Sequence, residues 1–449
     1  MSDKGRDQGL RAPLRRPVFR RLAVSYAVNE MGDWMGIIAL SVLVFDQTGS
    51  AVATAVLFLA TQFLPGLVVP VFVTRVEKFP PRVTLPVIYC IEAAAFGGLA
   101  LLATNFSLIG VVIFASIDGV LAVGSRALTR SVVVSFLEPE GELRAGNAIL
   151  NLAFTWGAAI GPAIAGLVVA AFSVETALYL DAVSFLAMGW LLVTCRDLPH
   201  PEVEPGSLRE RVKAGIAHIR GRVTLRRLLL AQAAAFIFFS AVIPVEVIFA
   251  KETLGVGDTG YGIFLASWGA GMVVGGSAFA LLRKAPLPIL LFLSTVAVGI
   301  SYLGMAAAPT LAVACAASVL GGAGNGIQWV GVISAVQELT GANMQARVLS
   351  VLESIGAAMP GIGYMVGGLI ASGFGPRTTF TVAGIGVLAI ALLAAVGLGS
   401  RWPERAAGAD SRNLGGGSEV DGGSEVVLEL IPAVAAVKKP FQSDSEVVS

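Results

Sequence analysis

The sequence predicts an all-α polytopic membrane protein, with twelve transmembrane helices as two six-helix, pseudo-symmetric bundles around a central cavity. Three observations lead there. Of 449 residues, 55% are hydrophobic and only 14% charged, with a mean hydropathy of +0.80, whereas ordinary soluble domains carry about 25% charged residues. Apolar runs of about 20 residues, long enough to cross a bilayer core, can be placed twelve times. The two halves also echo each other: Gly166-Leu-Val-Val-Ala-Ala-Phe172 aligns with Gly368-Leu-Ile-Ala-Ser-Gly-Phe374, and Phe58-Leu-Ala60 with Phe264-Leu-Ala266, at nearly the same offset. A parallel duplication of a six-helix unit puts a binding site near the midplane between the halves.

In chain order, residues 1–21 read as a basic cytoplasmic tail rather than a cleaved signal, because Glu30 and Asp33 interrupt the apolar run that follows. The N-terminal bundle then occupies 22–195, with spans at 22–45, 51–73, 83–104, 108–136, 146–171 and 176–195. Residues 196–225 form a polar linker that opens with Pro199, Pro201 and Pro205. It continues into an amphipathic helix whose stripe of Leu208, Val212, Ile216 and Ile219 opposes arginines, a pattern suited to the membrane interface. The C-terminal bundle occupies 226–399, with spans at 226–250, 259–282, 287–307, 310–337, 347–372 and 377–399. Residues 400–449, rich in Gly, Ser and Glu, read as a disordered cytoplasmic tail.

Charge sets the expected orientation. The tail, the second-to-third loop (Arg75, Lys78, Arg82), the linker, Arg283 and Lys284 after the eighth span, and Arg401 and Arg405 after the twelfth all fall on one side. The other side holds Lys251 and Arg377. The excess of Lys and Arg marks the cytoplasmic face, so both termini are expected there, in a multi-pass protein of the plasma membrane. A formal net charge of +1 gives no indication of a nucleic-acid partner. Three scattered cysteines and two histidines in the linker offer neither a disulfide framework nor a metal site. No cofactor is expected, and the expected partners are the lipid bilayer, a small-molecule substrate and protons. A monomer is expected.

The chemistry is carried by charges inside the apolar runs. Glu30 and Asp33 are three residues apart, on one face of the first helix. A charge at bilayer depth costs about 2.5–3.5 kcal/mol on insertion scales, so the pair requires a partner, a proton or a wet cavity. Asp118 lies near the middle of the fourth span, with Arg126 about two turns further on. Glu92 in the third span is a second proton site, a cargo contact or a partner for a neighbouring helix. Asp181 and Glu246 are expected toward the outer ends of their spans, within reach of water. Asn29, Trp34, Trp156, Phe236, Phe239, Trp268, Asn325, Gln328, Trp329 and Glu353 are candidate cavity lining, since aromatic faces with acidic groups suit lipophilic cations. Gly157, Gly161 and Gly166 permit close helix contact, and Pro162 bends the fifth helix. Without a Gly-x-x-x-x-Gly-Lys-Ser/Thr loop to bind a nucleotide, or a Ser, Cys or His/Asp constellation in the spans, a pump driven by ATP and an enzyme are not expected. Transport without proton exchange, of a lipid, siderophore or specific metabolite, and a non-transporting membrane partner remain as alternatives.

Several stretches resemble the major facilitator superfamily, in its bacterial drug and metabolite exporter branch. Gly32-Asp33-Trp34, followed by Ile38-Ala39-Leu40 and Asp46-Gln-Thr-Gly-Ser-Ala51, is similar to that branch's first span and outer loop. Leu143-Arg-Ala-Gly-Asn-Ala148 is similar to its entry into the fifth span, and Gly157-Ala-Ala-Ile-Gly-Pro-Ala-Ile-Ala-Gly166 resembles the antiporter-associated motif of that span. The resemblance implies alternating access and export in exchange for protons. It also implies that the first and fourth helices adjoin at the cavity, so that Arg126 can reach Glu30. That pair then either couples to protons, with Glu30, Asp33, Arg126 and Asp118 taking part, or is a static brace. One departure stands out. The family's second-to-third loop carries Gly-x-x-x-Asp-Arg-x-Gly-Arg-Arg-like residues. Here, Val73-Thr-Arg-Val-Glu-Lys-Phe-Pro-Pro-Arg82 has a threonine in place of the aspartate. Arg75, Glu77 and Arg82 are the expected gating substitutes.

Overall fold

The computed structural model describes residues 12–76, 78–195, 198, 208–282 and 285–398. Among them there are helices and turns but no strand. The first span is α1 (Pro17–Thr48), and the second is α2 (Ala51–Phe58) and α3 (Leu64–Val76) joined by a π-helical turn over Leu59–Phe63. Then follow α4 (Pro81–Thr104), α5 (Leu108–Leu137), α6 (Leu143–Ala171), α7 (Val174–Val193) and the linker helix α8 (Leu208–Arg220). The seventh span is α9 (Val223–Val242), a 3-10 turn over Ile243–Val245, α10 (Glu246–Ile248) and a π-helical turn over Phe249–Thr253. The remaining spans are α11 (Asp258–Leu281), α12 (Leu287–Ala307), α13 (Leu311–Leu339), α14 (Ala342–Phe374) and α15 (Pro376–Leu398). Eleven of the twelve spans are long and apolar enough, by length and composition, to cross a membrane. The other, α6, is 29 residues long with apolar segments at Ala145–Phe154 and Ile160–Ala171.

Local chemistry fixes the helix ends. Ser50, Ser107, Ser173 and Thr310 each cap a helix start, accepting the backbone N–H three residues on, which satisfies a donor the helix leaves orphaned. Gly49 ends α1 with φ 57°, a left-handed turn suited to glycine, and returns its N–H to the Phe45 carbonyl at 2.8 Å. The first helix starts at Pro17, before the apolar run at residue 22, because a proline at the first turn costs no hydrogen bond and the basic residues continue the helix outside the hydrocarbon.

Helices α1, α4, α5, α6 and α7 pack together with α2–α3, and α9 and α11–α15 form the second bundle. The bundles join at the end opposite the basic loops. There α6 packs on α11, and α2 on α14, through glycines. A methyl group on Gly166 would lie 2.8 Å from Gly262 Cα, and one on Gly368 2.8 Å from Ala55 Cβ. Ser41 and Tyr261 hydroxyls lie 3.2 Å apart across the seam. Lys251 Nζ contacts Asp46 Oδ1 at 2.6 Å and Asp258 Oδ1 at 2.7 Å, tying the seventh span to α1 and α11. The apolar core accordingly runs without a break from the N-terminal bundle into Val245, Val247, Ile248, Tyr261, Tyr364 and Ala371. The α2–α3 contact with α14 continues inward through Phe58–Tyr364 to Gly66 beside Ala357. At the basic end the buried cluster around Leu225, Val336 and Leu352 belongs to α8 and the C-terminal bundle alone. The space between the bundles thus opens toward the basic end.

The linker helix forms as expected, but part of its stripe is used inside the protein. Ile219 is buried with Val348 and Leu352, and Gly215 lets α8 approach the Arg347 backbone closely. Ile216 is partly exposed, while the side chains of Leu208 and Val212 lie outside the described residues. So do the tail 400–449 and most of the linker before α8.

Candidate coupling and cargo site

The sequence Gly32-Asp33-Trp34 directs three consecutive residues of α1 toward three different helices. Gly32 faces α7, where its missing side chain admits the Asp181 carboxylate, and Gly36 one turn on is also beside it. Trp34 faces α6, where a methyl group on Gly161 would lie 2.7 Å from Trp34 Cβ. Asp33 faces α5 and the space between the bundles, with 15% of its side chain exposed. One turn earlier, Glu30 is fully buried, and Gly157 of α6 packs against its Cβ and backbone.

Arg126 of α5 meets both acids. Its Nη1 donates to Glu30 Oε2 at 3.3 Å and lies 3.9 Å from Asp33 Oδ2. Asn29 Nδ2 donates to the same Asp33 oxygen at 2.9 Å. One turn along α5, Arg130 Nη2 donates to the Tyr26 hydroxyl at 2.9 Å and lies over that ring at 5.5 Å. Arg126 is one-quarter exposed, so the group that holds both acids also borders the opening.

Behind this pair are further acids. Asp118, Glu92 and Asp181 are buried, at 8%, 0% and 2% exposure. Both Glu92 oxygens, Asp118 Oδ1, Asp181 Oδ2, Glu30 Oε1 and Asp33 Oδ1 have no hydrogen-bond partner among the described residues. Asp181 has one donor, the Ser184 hydroxyl at 3.2 Å. Glu30, Asp33, Glu92 and Asp118 therefore share the field of one guanidinium, and Asp181 faces Asp33. Three expectations are corrected. Asp181 is not in a watery span end, because glycines of α1 draw it into the bundle. Glu92 does not line the cavity, because it points into the N-terminal bundle among Asp118, Asp33 and Asp181. Glu246 is likewise half-buried beside Tyr261 and Tyr302 rather than at an open end. These acids do stand out in the sequence as charges within apolar runs, but the depth of each depends on which neighbour offers a glycine.

The other predicted residues divide into groups. Phe236, Phe239, Asn325, Gln328 and Trp329 line one small pocket in the C-terminal bundle, together with Gln232, which the sequence reading missed. Trp268 packs on Phe239 and stacks on Tyr302 at 5.8 Å, inside that bundle. Trp156 is half exposed on α6. Glu353 is exposed on α14, and the charge acting on it is Arg130 of the other bundle. Gly157 and Gly161 face α1, whereas Gly166 and the Pro162 carbonyl face Gly262 of α11. Arg75 and Arg82 are exposed, with no ion pair among the described residues, and Glu77 lies outside them. Among the described residues the ion pair that bridges the bundles is instead Lys251–Asp46 at the opposite end, a position the sequence marked only by its isolated charge. Among the described residues no group of three His, Cys, Asp or Glu side chains is placed to hold a metal ion.

The model of the transmembrane secretion effector family matches residues 8–414. The multidrug efflux pump Tap of Mycobacterium bovis (strain BCG / Pasteur 1173P2) is 25% identical over 384 residues, which cover 81% of this chain and 89% of the pump. Tap of Mycobacterium tuberculosis (strain ATCC 25618 / H37Rv) matches to the same extent. Among solved structures, a bacterial homolog of the human lysosomal transporter Spinster, inward-facing and unoccupied, superimposes with a TM-score of 0.66 at 13% identity, covering 86% of this chain and 96% of that one. The nucleoside transporter NupG gives a TM-score of 0.63 at 12% identity, covering 85% and 98%. Twelve spans in two bundles, a family match over nearly the whole chain and transporters as structural neighbours lead to one assignment: the chain belongs to the transmembrane secretion effector family of the major facilitator superfamily and is a membrane transporter.

Proposed function

We propose that the protein is a secondary active exporter of a hydrophobic or amphipathic small molecule, working by alternating access in exchange for protons across the plasma membrane. The observation that carries this reading is Arg126 held between Glu30 and Asp33 at the edge of the opening between the bundles. Arg126 is one charge against two, with 3.3 Å to one acid and 3.9 Å to the other. Asp33, partly exposed and at the longer distance, is the acid that trades its proton for cargo. Glu30, sealed by Gly157, keeps the guanidinium in place. When a cationic or hydrogen-bonding cargo reaches Asp33, the carboxyl releases its proton to the space open at the basic end. When the opposite end opens, a proton from outside returns to Asp33 and displaces the cargo. Orienting the basic loops to the cytoplasm makes the described state cytoplasm-facing. On this reading residues 22–195 and 226–399 are the two rocking bundles, 196–225 links them, and the protein works as a monomer. The relationship to Tap supports drug-like cargo.

Inverted vesicles containing the full chain, assayed for ethidium accumulation with and without an imposed pH gradient, test the proposal. Export is expected to follow the gradient, and Asp33→Asn to abolish gradient-driven accumulation while leaving ethidium binding measurable. Accumulation indifferent to the gradient, together with a fully active Glu30→Gln, would reduce the arginine–acid group to a static brace.

A further inference from the structure

A cavity in the C-terminal bundle lies away from the acids. It measures about 260 Å³ and is enclosed by α9, α12, α13 and α15 near the basic end. Its walls are apolar except for Gln232, Thr295 and Gln328. Gln328 Nε2 donates to the Thr295 hydroxyl at 3.3 Å. Gln232 is nine-tenths buried and makes no hydrogen bond among the described residues, so its amide is left as a donor and acceptor in the cavity wall.

Two further facts indicate what fits. Gln232, Ala235 and Gln328 also line the small pocket of Phe236, Asn325 and Trp329. The two spaces therefore share a wall made by the glutamines. At the other side the mouth is formed by Ile289 and Phe292 of α12 and Ala395 of α15, all exposed, on a surface of large exposed apolar side chains that includes Leu293, Leu392, Leu393 and Val396. Such a surface faces hydrocarbon in a membrane-spanning bundle. A cavity that opens to lipid, is apolar within and ends at a free amide complements a molecule with an apolar chain and one hydrogen-bonding head.

We infer that the C-terminal bundle holds a side pocket that takes an amphipathic small molecule from the cytoplasmic leaflet between α12 and α15. The apolar chain fills the cavity, Gln232 binds the head, and Gln328 borders its passage to the pocket of Phe236, Asn325 and Trp329. This rests on the proposed amphipathic cargo but not on proton exchange.

The test uses the full chain in nanodiscs of phosphatidylethanolamine and phosphatidylglycerol. One probe is a twelve-carbon alcohol with a diazirine at its chain end, and the other a phospholipid with the same diazirine on its acyl terminus. The alcohol is expected to label residues 288–295 and 390–395, and unlabelled dodecan-1-ol to compete it away. Ala391→Phe, which fills the cavity, and Ala394→Phe, a milder change at its edge, should each cut labelling at least tenfold. Gln232→Leu should weaken alcohol binding about fivefold, the worth of one hydrogen bond. Asp33→Asn, which removes the exchanging acid and lies outside the pocket, should leave labelling unchanged, so that loss of proton coupling and loss of the pocket can be told apart. Labelling that ignores both phenylalanines, labelling elsewhere only, or a phospholipid signal that the alcohol cannot displace would each overturn the inference, the last by showing a structural lipid.

Discussion

At the scale of single residues, the deciding quantity is the imbalance around Arg126. It holds Glu30, which has no exposed surface, and removing one partner of a buried ion pair costs roughly 3–5 kcal/mol because the other charge is stranded. Arg126→Ala should therefore lower thermal stability strongly, and adding Glu30→Gln should recover much of the loss, since the stranded charge is then gone. Equal instability of the single and double variants in a melting assay would show that the pair is not the source. Glu92 makes the opposite case. It lies in the field of Asp118, Asp33 and Asp181, and its oxygens find no donor among the described residues, so Glu92→Gln keeps the shape and removes the acid from that field. That variant is expected to melt at or above the temperature of the parent protein. A marked drop would mean that the Glu92 carboxyl stabilises the bundle rather than opposing its acidic neighbours.

At the scale of elements, α6 has two different jobs on one helix. Gly157 and Gly161 bring it against the acid-bearing face of α1, and Gly166 brings it against α11 of the other bundle. A side chain at the first pair disturbs the site, while one at the second disturbs closure. Gly262→Leu, placed against the Pro162 carbonyl and Gly166, overpacks the seam by an expected 1–3 kcal/mol and should favour opening at that end. Lys251→Ala should act in the same direction more weakly. Asp46 is half exposed, and exposed pairs contribute about 0–1 kcal/mol, so the population shift is at most about fivefold. Ser41→Cys, buried in the parent seam beside Tyr261, reports both through labelling by a membrane-impermeant maleimide added from outside. Unchanged labelling in Gly262→Leu would remove the seam from the gating account.

At the scale of the whole molecule, the described state leaves Arg130 on α5 and Glu353 on α14 on opposite bundles and facing the same opening. Rocking the bundles shut at the basic end brings opposite charges together. Arg130→Glu alone sets two acids against each other and should block export. The exchange Arg130→Glu with Glu353→Arg should restore a substantial fraction, read as ethidium efflux from cells. If the double exchange is as inactive as the single, Arg130 matters through Tyr26 and Asn151 within its own bundle rather than across the opening.

Hydropathy determined the spans and their number, because a bilayer tests each run of about 20 residues locally, against a uniform solvent; the loop charges marked the basic end and the internal repeat the two-bundle plan. Hydropathy also marked Glu30, Asp33 and Arg126, since a charge in an apolar run is conspicuous wherever it points. Only the tertiary structure decided that Asp181 and Glu92 turn inward, that Lys251 rather than Arg75 and Arg82 ties the bundles, and that Gln232 borders an apolar cavity. Those outcomes depend on which glycine faces which side chain across two helices, and on which end of the seam is closed. Neither is written in the periodicity of any one segment.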